Sequence, residues 1–361
     1  MPYILSTGIR CADHSFTQSD IQKLVYNLFP LKEKEKKRLL PIFENAEINE
    51  RQFAAPLAWF KDEHGLQERN ELYHTQALQY CTQAVQSCLT NEEMLSVNIS
   101  PELIDHILFI SSTGISTPTL DTYLMNELKF DENTRRTPLF GLGCAGGTSG
   151  VAKAQEWLLG HPEKNVLIVC VELCSITFQP GDSRVSNFVG TALFGDGASA
   201  VLVIGDQSPL RQKAKVPLAK ILKTSSRTKR YSTNVMGWRV IDTGFEVIFN
   251  KSIPRLVKEF WSVHAREFTE NQGWKISEFP FIIAHPGGRK VLEGYREAFN
   301  LNEQALEISK NILKRHGNMS SPTVHFVLHE ALKKQPVKGT RTIMTSLGPG
   351  FSSEMVSLEW M

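Results

Sequence analysis

The chain of 361 residues lacks any apolar run near the ~20 residues that cross a bilayer, so we predict no membrane-spanning segment. Its first six residues lack a basic stretch followed by a long apolar one, so we expect no secretory signal. Neither charge sign dominates, because 40 Lys and Arg face 38 Asp and Glu. The net charge of +2 argues against a nucleic-acid-binding protein.

Cysteine is also sparse, and no pair shows the C-x-x-C spacing of redox or metal motifs. Six cysteines in a chain of this length do not form a disulfide framework. We therefore expect a reducing, cytoplasmic environment, which leaves any single cysteine free to act as a nucleophile. The six cysteines are Cys11, Cys81, Cys88, Cys144, Cys170 and Cys174.

The length predicts two packed units, because a single hydrophobic core stops growing at roughly 250–300 residues. Both halves show a loop, a helix, a strand, a Gly-x-Gly turn and a second strand. These segments are 141–146, 148–159, 165–171, 195–197 and 200–204, and then 317–321, 324–332, 340–345, 348–350 and 355–358. The repeat predicts a duplicated α/β fold. The polar segment 207–217 favours a boundary that gives domains 1–215 and 216–361.

The segment 141–146 satisfies G-x-G-x-x-G between a predicted strand and a predicted helix, with Glu172 ending the next strand. A dinucleotide-binding oxidoreductase is therefore one interpretation. Against it, the segment lies in mid-chain, Cys144 occupies the turn, and the second half repeats the unit without this motif.

Cys144 is the stronger candidate for chemistry. A thiol at a Gly-rich turn before a helix has its thiolate stabilised by the helix dipole and free backbone N–H groups. An isolated cysteine is more often a small buried apolar residue. Whether Cys144 is a nucleophile or a buried apolar residue depends on which other residues of the chain could act with it.

Two residues that could do so are His285 and Asn318. His285 ends a predicted buried strand over 281–285 and precedes a Pro-Gly-Gly turn, whereas an isolated histidine is usually structural. Asn318 stands in the second half where Cys144 stands in the first, and we place both at helix N-termini that face one cleft. The alternative for Asn318 is a plain N-cap.

Taken together, these motifs resemble the chalcone synthase superfamily, the type III polyketide synthases. The resemblance covers most of the chain and rests on Cys-Ala-Gly-Gly at 144–147, Leu-Phe-Gly-Asp-Gly at 193–197, Ala-His-Pro-Gly-Gly at 284–288, Gly-Asn-Met-Ser-Ser at 317–321 and Gly-Pro-Gly at 348–350. It implies a five-layered αβαβα thiolase fold, a homodimer, no cofactor, and malonyl-CoA and acyl-CoA as substrates.

The chemistry that the resemblance implies fits these residue types. Cys144 takes an acyl starter as a thioester, and His285 keeps the sulfur reactive by deprotonation or ion pairing. Malonyl-CoA then loses carbon dioxide, and the resulting enolate oxygen accepts hydrogen bonds from His285 and Asn318. An amide suits this role because it donates without a readily transferable proton.

The resemblance also assigns residues to a reaction cavity. Phe194 matches a gatekeeper aromatic, although a plain core phenylalanine is the alternative. Thr117 matches a residue that reaches into the cavity of the partner subunit. The remaining cavity positions are Cys174, Thr177, Ser320, Gly348, Pro349 and Gly350.

Several positions depart from the plant pattern. Val247 stands where plant enzymes carry a second gatekeeper phenylalanine, and Trp238 where glycine is frequent. Around 45–53, Glu50 and Gln52 replace the basic residues that hold CoA in plant enzymes. We therefore expect a microbial enzyme similar to alkylpyrone or alkylresorcinol synthases, with a fatty acyl starter that CoA or a carrier protein delivers.

Other condensing proteins share parts of this pattern. A ketoacyl-carrier-protein synthase III also uses Cys-His-Asn, but it follows its histidine with Gln-Ala-Asn and extends only once. A degradative thiolase needs a second cysteine near 348, and a non-catalytic subunit would not need all three polar residues. His325 and His329 have metal-compatible spacing, but without a third ligand we predict packing roles and no metal.

Overall fold

A computed structural model describes residues 1–29 and 32–361. The strands are β1 (Tyr3–Cys11), β2 (His14–Thr17), β3 (Glu50–Phe53), β4 (His106–Ile110), β5 (Arg135–Leu139), β6 (Asn165–Leu173), β7 (Asp196–Ile204), β8 (Ala219–Thr228), β9 (Met236–Ile241), β10 (Gly244–Phe249), β11 (Ile283–Ala284), β12 (Arg341–Gly348) and β13 (Ser352–Trp360). The helices are α1 (Gln18–Leu28), α2 (Glu33–Leu39), α3 (Pro41–Asn45), α4 (Leu66–Leu89), α5 (Leu120–Leu128), α6 (Gly146–Leu159), α7 (Val185–Leu193), α8 (Ile253–Leu256), α9 (Ser262–Glu270), α10 (Arg289–Phe299), α11 (Glu307–His316) and α12 (Thr323–Lys333).

Nine strands form one sheet in the order β11-β12-β13-β8-β1-β7-β6-β4-β5. On one side, β4 and β6 are parallel, and β6, β7 and β1 follow with antiparallel pairing. On the other side, β11 and β12 are parallel, and β12, β13 and β8 follow with antiparallel pairing. The two half-sheets meet where β1 pairs with β8. The strand directions thus repeat, as the predicted duplication requires.

Helices separate and cover the two half-sheets. Helices α6 and α12 contact strands of both half-sheets and form the central layer. Helix α4 packs outside β1 and β7, while α9 and α11 contact β13 and β11 of the other half. The result is the predicted five-layered αβαβα arrangement. The proposed boundary after 215 falls between β7 and β8, where the chain passes from one half-sheet to the other.

The central strands are buried along their length, which explains why they are apolar without alternation. All nine residues of β6 are buried, including Glu172. Helix α1 begins at Gln18, because Thr17 accepts a hydrogen bond from the Asp20 backbone and caps it. The strand predicted over 281–285 spans only Ile283–Ala284. Within the described ranges, no helix is long and apolar enough to span a bilayer.

Candidate active site

Cys144 lies in a short 3₁₀ turn, Gly143–Ala145, that leads directly into α6, so its predicted place at a helix N-terminus is confirmed. Gly143 has a positive φ of 48°, and a Cβ there would lie 2.8 Å from the Pro349 side chain. A Cβ on Gly348 would lie 2.5 Å from Ala145 Cβ. Only glycines at these two positions let the Gly-Pro-Gly loop pack against the Cys144 turn.

Asn318 faces Cys144, but it is not at a helix N-terminus, so that prediction and the N-cap alternative are both wrong. Helix α12 begins five positions later, at Thr323, with Pro322 as its N-cap. The Asn318 backbone pairs instead with Phe194, since its N–H donates to Leu193 O at 2.8 Å and its carbonyl accepts from Gly195 N at 3.1 Å. This pairing fixes the amide beside the gatekeeper position.

The Asn318 side chain has a defined orientation. Its Oδ1 accepts from the Ser320 backbone N–H at 2.8 Å and lies 3.8 Å from Cys144 Sγ. Its Nδ2 donates to Gly287 O at 3.3 Å. An amide nitrogen carries two hydrogens, so one N–H of Asn318 remains for a substrate oxygen.

His285 follows β11 and is buried, with its backbone N–H donating to Thr345 O at 2.9 Å. Both ring nitrogens are buried without a hydrogen-bond partner in the described structure. A buried imidazole without a partner is costly, and such groups are concentrated at functional sites. The His285 ring is therefore free to bind a substrate or to accept a proton.

Burial controls the protonation of this site. It raises the pKa of the Cys144 thiol to about 11, against the opposing effect of hydrogen bonds with Ser320 and Asn318. Burial lowers the pKa of His285 to about 3. At neutral pH the closed site therefore holds a thiol and a neutral imidazole, because desolvation outweighs the helix dipole here.

Five of the predicted cavity residues line a pocket together with Cys144. An inner pocket of about 20 Å³ is lined by Cys144, Phe194, Trp238, Val247, Ser320 and Pro349, together with Gly143, Met236, Gly237, Ile248 and Phe249. Phe194 lies 5.5 Å from Trp238 and 5.7 Å from Phe249, measured between ring centroids. These three aromatic rings leave room for about one water molecule.

Cys174 and Thr177 line a second, side pocket that shares Phe194 and Val247 with the inner pocket. Its far wall comes from α1 and from aromatic residues. The lining residues are Ile21, Leu24, Phe53, Phe60, Ser175, Phe178, Asn187, Gly190 and Thr191. Phe194 and Val247 thus separate two small apolar spaces.

A larger cleft of about 780 Å³ leads from the surface to the turn after His285, where Gly287 and Gly288 line it. We call it the entry cleft. Its basic residues are Lys251, Arg289 and Lys290, and its apolar wall includes Val185, Val189, Leu193, Phe249 and Ile253. Sequence reasoning missed these basic residues, because they come from α10 and the turn before α8 rather than from the segment 45–53.

Arg51, the basic residue within 45–53, has an internal role. It is fully buried and donates to Thr191 O at 2.6 Å, Phe194 O at 2.7 Å and Gln18 Oε1 at 2.8 Å. The guanidinium therefore fixes the backbone of Phe194 and is not available to a phosphate.

Sequence reasoning also missed a buried network around Glu172. This carboxyl accepts hydrogen bonds from Ser112 N at 2.9 Å, Thr113 Oγ1 at 2.8 Å and Ser321 Oγ at 3.0 Å. The side chain is fully buried and occupied by these contacts, which leaves no basis for the ribose-binding acid of the dinucleotide interpretation. A charged residue at the end of an apolar strand was the signal available in the sequence.

Other predicted residues lie outside the pocket or have internal roles. Thr117 is exposed in the loop before α5 and does not line the pockets of its own chain. His325 contacts Ser199 Oγ at 2.9 Å and Gly147 O at 3.0 Å, and His329 contacts Thr7 Oγ1 at 2.8 Å. The described part of the chain contains no group of three residues that could hold a metal ion.

Comparison with known families gives two matches that together cover most of the chain. Residues 49–207 match the N-terminal domain of chalcone and stilbene synthases, and residues 225–359 match the C-terminal domain. The Cys144 turn lies in the first match, and His285 and Asn318 lie in the second.

Individual proteins are similar to this chain over most of its length. The chain is 39% identical to a chalcone synthase homologue of Bacillus subtilis (strain 168), across 100% of this chain and 99% of the relative. It is 31% identical to the 1,3,6,8-tetrahydroxynaphthalene synthase of Streptomyces peucetius subsp. caesius, across 96% and 90% of the two chains. The crystal structure of 1,3,6,8-tetrahydroxynaphthalene synthase from Streptomyces coelicolor A3(2), a bacterial type III polyketide synthase, superimposes with a TM-score of 0.91 at 25% identity, covering 100% of this chain and 99% of the other.

Proposed function

The chain belongs to the chalcone and stilbene synthase family, the type III polyketide synthases, and within it we propose an enzyme that extends a fatty acyl starter with malonyl-CoA. Enzymes of this family are acyltransferases that act by decarboxylative Claisen condensation. The thiolase fold of the chain is that of the family. The observation that carries the finer proposal is that Cys144 Sγ lies 3.8 Å from Asn318 Oδ1, while Asn318 Nδ2 donates to Gly287 O. Gly287 lines the entry cleft in the turn that follows the unpartnered His285.

In the first step, Cys144 attacks the thioester carbonyl of the starter. The thiol proton moves to the neutral ring of His285, which has a free nitrogen to accept it. The CoA thiolate leaves and takes a proton, and the acyl group remains on sulfur. Because the resting thiol is neutral, proton transfer belongs to the acylation step and does not precede substrate binding.

In the second step, malonyl-CoA loses carbon dioxide and forms an enolate. The free N–H of Asn318 Nδ2 and the ring of His285 supply hydrogen bonds to the enolate oxygen. The enolate carbon then attacks the acyl group on Cys144, which forms the carbon–carbon bond and releases the cysteine sulfur. Return of the longer chain to Cys144 permits another cycle, and cyclisation yields a pyrone or resorcinol.

The entry cleft suits CoA. Lys251 and Lys290 are exposed at its rim, where the phosphates of CoA would lie, while its apolar wall suits the pantetheine arm. Replacing both lysines with alanine is expected to raise the KM for acyl-CoA about tenfold at low salt, and less at high salt because salt screens exposed charges. Lys275→Ala, another exposed lysine outside this cleft, is the matched control. An unchanged KM in the double variant would contradict this placement.

The side pocket supports a fatty acyl starter. Its lining beyond Cys174 and Thr177 is mostly aliphatic and aromatic, which favours an alkyl chain over a polar group. Its free volume of about 20 Å³ requires the rings that line it to move aside as the chain enters. Leu24→Trp should fill the far end and shift starter preference towards shorter chains, without affecting a two-carbon starter.

A homodimer is part of the proposal. Strand β5 is an edge strand of the nine-stranded sheet, and the nearby side chains of Phe140 and Ile115 are 65% and 49% exposed. An unpaired edge beside exposed apolar side chains favours pairing with a second copy. Thr117, in the same region as Ile115, would then approach the partner's cavity. Light scattering after size-exclusion chromatography should give twice the mass of 40.7 kDa.

The test of function is incubation of the purified protein with labelled malonyl-CoA and acyl-CoAs of graded length, alongside Cys144→Ala. Alkylpyrones or alkylresorcinols that disappear in the variant would support the proposal, and preference for aromatic CoA esters would refute the fatty starter. The same assay with acyl-carrier-protein thioesters identifies the donor. The matched families give no support to the single-extension synthase III alternative.

A further inference from the structure

Glu172 is a buried acid that the proposed reaction steps do not use. It lies near the end of β6 with no exposed surface, and its largest favourable interactions are hydrogen bonds rather than a basic side chain. A carboxyl in this setting is expensive to bury, so the contacts that it makes must be explained.

One oxygen of Glu172 acts on the Cys144 side of the site. Oε2 accepts from the Ser112 backbone N–H and from Thr113 Oγ1. Ser112 Oγ in turn accepts from the backbone N–H groups of Gly141 at 3.2 Å and Gly143 at 3.3 Å, which lead into and begin the turn that carries Cys144. Ser112 therefore links Oε2 of Glu172 to the turn that carries Cys144.

The other oxygen acts on the Asn318 side. Oε1 accepts from Ser321 Oγ at 3.0 Å, and Ser321 belongs to the loop that carries Asn318 and Ser320. In the same loop, the Ser320 N–H orients Asn318 Oδ1. A single carboxyl thus connects the two catalytic loops, one from each duplicated half of the chain.

From these contacts we propose that Glu172 is a positioning residue that holds the Asn318 loop in register with the Cys144 turn. The inference deepens the proposed function, because the role matters only where both loops act on one substrate. A misplacement of about 1 Å at a reacting group can cost on the order of a hundredfold in rate, so a link of this kind has catalytic weight.

The hydrogen bonds also indicate which oxygen of Glu172 would carry a proton. Thr113 Oγ1 accepts from the Leu173 N–H at 2.9 Å, so its own proton points to Oε2. Oε2 thus receives two donors and carries no proton. A proton on Glu172 would therefore sit on Oε1 and reverse the hydrogen bond with Ser321. Protonation changes the Asn318 side of the link and leaves the Cys144 side intact.

Burial raises the pKa of Glu172 to about 7, and its hydrogen bonds oppose this rise. The other titratable groups that face it stay neutral at this pH, because burial raises the pKa of each. These groups are Tyr73, Cys81, Cys144, Cys170 and Cys174. Burial also raises the pKa of Asp196 to about 6, and Asp196 follows Gly195, which donates to Asn318 O. A pH effect on the Asn318 loop near neutrality is therefore assigned to Glu172 by its loss in Glu172→Gln.

Glu172→Gln should change the hydrogen bond towards the Asn318 loop and preserve those towards the Cys144 turn. The Gln carbonyl can replace Oε2, while its NH₂ faces Ser321 as a protonated acid would. We expect starter loading on Cys144 within about threefold of wild type, and malonyl-CoA decarboxylation lower by on the order of tenfold to a hundredfold. The wild-type decarboxylation rate should rise with pH through about 7, and the variant should lose this rise.

Ser321→Ala tests the same link from the other side. Its loss should not add to that of Glu172→Gln, because both variants remove the hydrogen bond that Ser321 Oγ donates to Oε1. Glu354→Gln is the matched control, since Glu354 is also buried and accepts from Ser226 Oγ at 2.6 Å, outside the site. Losses that multiply in the double variant, or equal losses of loading and decarboxylation, would overturn the proposal.

Hydrogen–deuterium exchange tests the link without any substrate. Backbone amides over 317–321 should exchange about tenfold faster in Glu172→Gln and Ser321→Ala than in wild type or Glu354→Gln. Amides over 141–144 should be unchanged in Glu172→Gln. Unchanged exchange over 317–321 would overturn the positioning role, whether or not the wild type makes a polyketide.

Discussion

Asn318→Asp changes a single functional group at the point where the enolate is expected to form. The backbone pairing of Asn318 with Phe194 does not involve the side chain and should survive. The remaining oxygen can still accept from the Ser320 N–H at 2.8 Å. The Nδ2 donor, however, becomes an oxygen that faces Gly287 O at 3.3 Å, so the variant loses its N–H towards the substrate and places two acceptors in contact.

Loss of one oxyanion donor costs about 2.7–4 kcal/mol, or on the order of 10²–10³ in rate. We therefore expect malonyl-CoA decarboxylation to fall by that factor. Starter loading should stay within about threefold, because Cys144 and His285 remain in place. Carbon dioxide release in the absence of a starter measures the first quantity. Intact-protein mass spectrometry of the acylated enzyme measures the second.

A matched control makes the same chemical change away from the site. Asn302 Oδ1 accepts from the Ala305 N–H at 2.8 Å as a helix cap, and aspartate performs this role equally well. Asn302→Asp should therefore leave both rates unchanged. Decarboxylation by Asn318→Asp within threefold of wild type would refute the donor role, and a proportional loss of loading would show that the substitution had disturbed the whole site.

Three further predictions concern the thiol, the pocket volume and the buried acid. Alkylation of Cys144 in the substrate-free protein should accelerate about tenfold per pH unit from pH 7 to 9, because its pKa is about 11 and only the thiolate reacts; a flat profile would contradict a neutral resting thiol. Trp238→Gly should enlarge the 20 Å³ inner pocket and yield products with more extensions, whereas an unchanged product spectrum would show that Trp238 does not limit the chain. The raised pKa of Glu172, about 7 against 4.5 for the free side chain, means that the folded state holds its proton more tightly, so the contribution of Glu172 to stability falls as pH rises from about 4.5 to about 7, by about 3 kcal/mol. Glu172→Gln should remove this contribution, measured between pH 5 and 8 by chemical denaturation as the difference in unfolding free energy between wild type and variant; a difference that does not change with pH would contradict the assignment.

Much of the fold could be predicted from local patterns. The segments 165–171 and 200–204 predicted the strands β6 and β7, and the repeated order of loop, helix, strand and turn predicted two similar halves. Element ends were less predictable. The strand predicted over 281–285 spans only Ile283–Ala284, because only these two residues pair with β12.

The candidate site was likewise predictable only in part. Cys144, His285 and Asn318 were identifiable because each stands beside glycines in a short motif. The entry cleft was not, since Lys251 and Lys290 lie far apart in sequence and become neighbours only when the turn before α8 and helix α10 meet. The role of Arg51 was not predictable either, because only the packing shows that its guanidinium holds the backbone of Phe194.

By itself, the sequence predicted the candidate catalytic residues and the order of the elements that present them, because periodicity and turn residues are local properties of the chain. Only the tertiary structure decided their protonation and their mutual positions, because burial and long-range hydrogen bonds depend on parts of the chain that are distant in sequence. Burial is the reason that the thiol of Cys144 is neutral. Long-range hydrogen bonds are the reason that Glu172 links the loops of Cys144 and Asn318, since Ser112, Glu172 and Ser321 come from three separate segments.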